Sequence, residues 1–316
     1  MHRPTGRGAA VLLTFGLVAD GCAAPPSDGA WTAARDACGL GAGETYPFDR
    51  LLPPGDGSLH GLSLPAGCAD RLLRTFGADP DRMMNDLQIE ASLDDHVERI
   101  RRGEASPDGL ATLTWGAAWL LGADLGDVEA IDAGPFSDAA WTDDFRRLAD
   151  AQGASPNSPL SKVLFVEAAA EIRHVTWFTD DAPDDATMGL FQPGDTLRVP
   201  RTFVPEDGSQ NVVPSVLAWS LFHESVHGRP SRFRHVACVA PATTTGRFCD
   251  ASGDAAYGAE FALAWAEIGA VTASEGCADD DLDWLMNANL NAMSSSWKRH
   301  ILAPTPDYSR PSCGSR

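Results

Sequence analysis

Between Pro214 and Gly228 the chain reads PSVLAWSLFHESVHG, an apolar run that closes on two histidines four residues apart. Pro214 suits a first helical turn, Leu217, Ala218, Leu221 and Phe222 recur at helical spacing, and Gly228 suits a C-terminal cap. The stretch is therefore expected to be a helix that must pack by its apolar face, and the rest of the chain has to supply the surface it packs on. Residues four apart on a helix project from one face on successive turns, so His223 and His227 can offer two imidazole nitrogens to a single tetrahedral Zn²⁺. Glu224 follows the first histidine directly, close enough to take a proton from a water whose pKa the metal lowers. Ser225 and Val226 are uncharged, as a half-buried ligand helix requires. The other reading of the two histidines is a solvated or hydrogen-bonded pair on a surface helix.

Upstream of this helix lie two short strand-like runs. EIRHVTWFT is rich in β-branched and aromatic residues, and MGLFQPGDTLRVP places strand-like segments on either side of Pro193-Gly194-Asp195, which is turn chemistry. A hairpin is expected, with the strand carrying Leu197 to Val199 ending at Pro200 or lying at an edge, because proline cannot donate to a ladder. Together the HESVH helix, the apolar run before it and the GLFQPGDTLRVP hairpin resemble the zincin metallopeptidases over roughly residues 160 to 275. That resemblance implies an α+β fold with a small edge-stranded sheet on the active-site helix, Zn²⁺ as cofactor, and hydrolysis of a peptide or protein substrate. In that scheme Glu224 is the catalytic base, and the hairpin edge near Leu197 holds substrate as an added strand.

A catalytic zinc usually has three protein ligands and one open position, so the chain beyond Gly228 must provide the third. GDAAYGAEFALAWAEIGAVTA, residues 253 to 273, reads as a helix that is apolar almost all round and interrupted chiefly by Glu260 and Glu267. A carboxylate is costly to bury in such a helix unless it is paired or binds metal. Resemblance to glutamate-zincins, in which a glutamate from a later helix completes the site, favours Glu260. His235 is the rival, reached if the chain turns back after Gly228, and Asp254 and Glu267 stand further behind, Asp254 being simply explained as a helix N-cap. Tyr257, one turn before Glu260, is a catalytic candidate as hydrogen-bond donor to a developing oxyanion. His174 and His300 have no ligand spacing and count as bystanders, and the acidic run TDDAPDD at 179 to 185, whose oxygens could hold Ca²⁺ but which lacks the loop spacing of a known site, is expected to be a solvated turn.

The remaining expectations concern compartment and organisation. Arg3 and Arg7 precede an apolar run from Ala9 to Ala19, the size of a secretory h-region, and Cys22 in VADGC resembles a bacterial lipobox. The chain is thus expected to be exported, either anchored to a membrane through lipidated Cys22 or secreted after cleavage near Ala24. Setting Cys22 aside leaves Cys38, Cys68, Cys238, Cys249, Cys277 and Cys313, an even set that suits an oxidising compartment. Order along the chain suggests Cys38 with Cys68, Cys238 with Cys249 and Cys277 with Cys313, one of fifteen connectivities among which the sequence does not choose. A formal net charge of −20 repels phosphate backbones and argues against a nucleic-acid partner. Residues 1–24 are then the export signal, 25–155 a mainly helical N-terminal region, and 156–316 the zincin-like domain. Within the helical region, ADPDRMMNDLQIEASLDDHVERIRRG and SPDGLATLTWGAAWLLGADLG are its clearest packing helices. The alternative function is a lipoprotein of the same fold that binds or scaffolds without turnover, since a fold does not fix a function.

Overall fold

A computed structural model describes residues 28–46, 63–130, 140–178, 190–192, 195–203, 214–228, 235–240, 242, 248–252, 255–275 and 298–302. The expected export signal with Cys22, the TDDAPDD run, Asp254 and the suggested Cys277–Cys313 pair lie outside the described residues. Helices dominate: α1 Asp28–Ala37, α2 Cys68–Thr75, α3 Pro80–Asp86, α4 Leu93–Arg101, α5 Gly109–Gly122, α6 Ala140–Ala151 and α7 Leu160–Glu171 precede the strands. Strands β1 His174–Trp177, β2 Leu190–Gln192 and β3 Thr196–Val199 follow, then helices α8 Pro214–Val226 and α9 Ala256–Glu275. The architecture is mixed α and β, consistent with the expected α+β class.

Helix α5 is the spine of the core. Asp108 caps it by accepting from the Ala111 N–H at 3.0 Å, and the helix is apolar round its whole circumference, with every residue buried. The histidine helix α8 lies against it, and ten of the thirteen residues of α8 are buried, so α8 is a core element and not a surface helix. Gly116 makes the approach possible, because a Cβ there would stand 2.9 Å from the backbone carbon and oxygen of Leu217 in α8. Helices α7 and α9 cover other sides of α8, and one continuous hydrophobic core runs from Trp31 to Ile301. The described parts of 25–155 and 156–316 share this core. Cys38 and Cys68 form a disulfide that ties the end of α1 to the start of α2.

The segment ADPDRMMNDLQIEASLDDHVERIRRG forms two helices, not one. Gln88 adopts φ 58° after α3, and Ser92 starts α4 afresh by accepting from the Asp95 N–H at 3.2 Å. The sequence suggested helical periodicity throughout the segment, but local capping divided it.

The hairpin is present, with β2 antiparallel to β3, and β1 pairs with the other side of β3 in parallel. Strand order β1-β3-β2 makes β3 the central strand, and it ends before Pro200. This corrects the expectation of a free edge near Leu197, because the backbone groups of β3 are engaged on both sides. The outer strands are β1 and β2, and β2 touches α8. Among the described residues no helix is long and apolar enough to cross a membrane.

Candidate metal centre

His223 sits in the last turn of α8 and is 4% exposed. His227 lies just past the helix end, where its N–H bonds back to the Glu224 carbonyl at 3.2 Å and that of Gly228 bonds to the Ser225 carbonyl at 3.0 Å. Gly228 does not take the left-handed conformation expected of a glycine cap. Its missing side chain leaves room for the Glu171 carboxylate of α7, which a Cβ would strike. The Ser225 hydroxyl donates to the Phe222 carbonyl at 2.6 Å, so this buried polar residue is satisfied within its own turn.

The two histidines meet a third. Nε2 of His223 lies 3.1 Å from Nε2 of His227 and 3.2 Å from Nε2 of His235, and the remaining pair, His227 with His235, is 3.1 Å apart. Among the described residues these three form the group that could hold a metal ion. Their spacing fits one: ligand atoms on a tetrahedral zinc at about 2.0–2.1 Å stand roughly 3.3 Å from one another. Three nitrogens converging on a point cannot all be satisfied by donating to each other, whereas a cation at their centre uses all three lone pairs.

The far sides of the rings support the same arrangement. Nδ1 of His235 pairs with Oδ1 of Asp250 at 2.8 Å, which puts that ring's proton on Nδ1 and its lone pair on Nε2. Nδ1 of His223 lies 2.9 Å from Oε1 of Glu260, a close approach that is out of line for a full hydrogen bond. Burial, and next the neighbouring His235, push the His223 pKa down to about 3, so this ring is an uncharged donor of electron pairs at neutral pH.

The structure thus brings together His223, His227 and His235, while Glu260, preferred from sequence as third ligand, stands at the outer nitrogen of His223. Glu224 is partly buried on the turn between the first two histidines. The Tyr257 ring packs edge-on to His223 with centroids 4.5 Å apart and lies 5.0 Å from His235. His300, counted as a bystander, stacks on Tyr257 at 4.4 Å and 14°. It is delivered by a C-terminal segment whose backbone pairs with Asp250. His174 is exposed at the start of β1.

Sequence reasoning missed Asp250, although a signal was present. The suggested Cys238–Cys249 disulfide forms, and it draws the segments on either side of the two cysteines together, the one carrying His235 and the one carrying Asp250. Nothing comparable marked His300, whose position depends on chain pairing across about fifty residues, from Phe248 to its own ring at 3.3 Å.

Glu267, two helical turns beyond Glu260, lies 3% exposed. Glu260 faces His223 and Glu267 faces Trp219, one turn earlier in α8, so α8 and α9 run antiparallel here. Burial pushes the Glu267 carboxyl up from 4.5 to about 8, and the nearby Trp219, whose buried indole N–H makes no well-formed hydrogen bond, acts in the opposite direction. The folded chain therefore holds a proton there that the unfolded chain releases. The stability this represents is complete below about pH 4.5 and is lost as pH rises towards 8. Glu267→Gln is expected to change the thermal midpoint little at pH 4.5 and to stabilise the zinc-free protein at pH 8, on the order of 3 kcal/mol. Melts of both proteins at the two pH values check this, and an equal loss of stability at both would contradict it.

Comparison of the chain with known protein families, curated proteins and solved structures gave no match.

Proposed function

We propose that this protein is an exported zinc-dependent hydrolase of peptide bonds, of zincin type, with His223, His227 and His235 holding the metal. The observation that carries the proposal is the convergence of three imidazole Nε2 atoms within 3.1–3.2 Å on a buried helix end whose sequence also supplies Glu224. Zinc, when bound, polarises a carbonyl and lowers the pKa of water to about 7.

The chain's own groups do the rest. Glu224 takes the proton from the attacking water and passes it to the leaving amine. Tyr257, packed against two of the ligands, donates a hydrogen bond to the carbonyl oxygen as it gains charge. Asp250 and Glu260 keep the His235 and His223 rings oriented. β2, an outer strand in contact with α8, offers the backbone edge along which an extended peptide can lie. Two disulfides suit an oxidising, extracellular environment, which is where such an enzyme meets protein substrates.

The test combines metal content with turnover. The mature protein is expected to carry about one zinc per chain. It should cleave an unstructured protein such as casein, lose that activity to a chelator and regain it with zinc. Changing His223 and His227 together to alanine should remove the metal. Unchanged zinc content in that variant would overturn the site, while bound zinc with no hydrolysis of any peptide would assign the fold a binding role.

A further inference from the structure

His235 reaches the other two histidines from a segment that belongs to no helix or sheet. Its neighbours Val236 and Val239 are 40% and 58% exposed, so little burial holds the segment down. Two attachments do so instead. Val236 and Cys249 exchange both backbone hydrogen bonds, at 2.7 and 2.9 Å, and Cys238 is joined to Cys249 by a disulfide.

The far side of this small ladder is well anchored. Asp250 is 0% exposed, and its carboxylate accepts from His235 Nδ1 at 2.8 Å and from the Tyr257 N–H, at the start of α9, at 2.6 Å. Its backbone N–H donates to the His300 carbonyl at 2.7 Å, and its carbonyl accepts from the Leu302 N–H at 2.8 Å. The carboxylate that orients the third ligand is thus part of the folded body, and the ligand's segment is tied to it, besides the run of the chain itself, by one covalent crosslink.

Building on the three-histidine site proposed above, we infer that the Cys238–Cys249 disulfide is the positioning device that presents His235 to the metal, so that metal affinity is under redox control. A crosslink closing a loop of this length shifts the balance between ordered and unordered chain by about a hundredfold. Without it the segment spends only part of its time docked on Asp250, and apparent affinity falls in proportion to the docked fraction. An external dithiol can make the change: its two thiols are oxidised to a disulfide, the Cys238–Cys249 sulfur–sulfur bond breaks, and both cysteines gain an electron and a proton to become thiols.

The experiment is a zinc titration against a chromophoric chelator, on the full mature chain with disulfides formed, paired with cobalt absorption spectra. Three proteins enter it: wild type, Cys238→Ser/Cys249→Ser, and Cys38→Ser/Cys68→Ser, whose crosslink lies far from the histidines in sequence and joins α1 to α2. The Cys238→Ser/Cys249→Ser protein is expected to bind zinc ten- to a hundredfold more weakly. Its cobalt spectrum should change as a nitrogen ligand is lost. The Cys38→Ser/Cys68→Ser protein is expected to melt at lower temperature but to bind zinc within twofold of wild type. Zinc affinity within twofold of wild type in both variants, or equal weakening in both, would overturn the inference. Should Cys238→Ser/Cys249→Ser not fold, the Cys38→Ser/Cys68→Ser protein is titrated before and after reduction by a phosphine, and the same tenfold threshold decides. Failure of wild type itself to bind zinc would instead overturn the metal site.

Discussion

Glu224→Gln is expected to lower kcat/KM for peptide hydrolysis at least about a hundredfold while zinc content and thermal midpoint stay at wild-type values. The substitution keeps the size and shape of the side chain and removes its ability to accept a proton. Glu224 follows His223 directly on the last turn of α8 and is only partly buried, so an amide can replace the carboxylate without opening a cavity. The loss falls on turnover because the proton it handles moves only during reaction. Zinc analysis beside the kinetics reads the outcome: loss of metal together with activity would move Glu224 into the ligand set, and retained activity would place the base elsewhere.

The second large effect separates His235 from Glu260. If three imidazoles hold the metal, His235→Ala removes one ligand outright. Spreading the binding energy of a structural zinc over its ligands gives about 2.5–4 kcal/mol for each, or a loss of some hundredfold or more. Glu260→Gln removes only the partner at the outer nitrogen of His223, and such partners are worth about ten- to a hundredfold in affinity. His235→Ala should also alter the cobalt spectrum by removing a nitrogen donor, whereas Glu260→Gln should leave the number of donors unchanged. The opposite order, with Glu260→Gln the more damaging and the spectrum changed there, would return Glu260 to the position of third ligand that the resemblance to glutamate-zincins suggested.

Local chemistry made a good part of this protein legible in its sequence. Helical spacing alone predicts α8 and the shared face of His223 and His227, because residues four apart on a helix have no other relation. The Pro193-Gly194-Asp195 turn predicts the β2–β3 pair, and the two disulfides among the described residues are pairs that chain order suggested without being able to choose them. The apolar stretch around Glu260 and Glu267 predicts a buried helix with two carboxylates that need explanation. One approaches a histidine, and the other is driven towards its neutral form.

What tertiary structure alone decided is which of several eligible side chains arrive at one point. Glu260 and His235 were both eligible as third ligand, and spacing along the chain does not rank them, since each is carried there by packing between segments distant in sequence. Antiparallel α8 and α9 bring Glu260 to the outer edge of the His223 ring. The Val236–Cys249 bridge, with its disulfide, turns His235 to the inner one. The same holds for β3, whose sequence suits either an edge or a centre and which is central because β1 pairs with it from the far side. His300 carries no local mark at all, and Asp250 only the disulfide at the residue before it: backbone hydrogen bonds between residues fifty positions apart put His300 beside the three histidines, and a pairing of that kind has no period and no spacing to read.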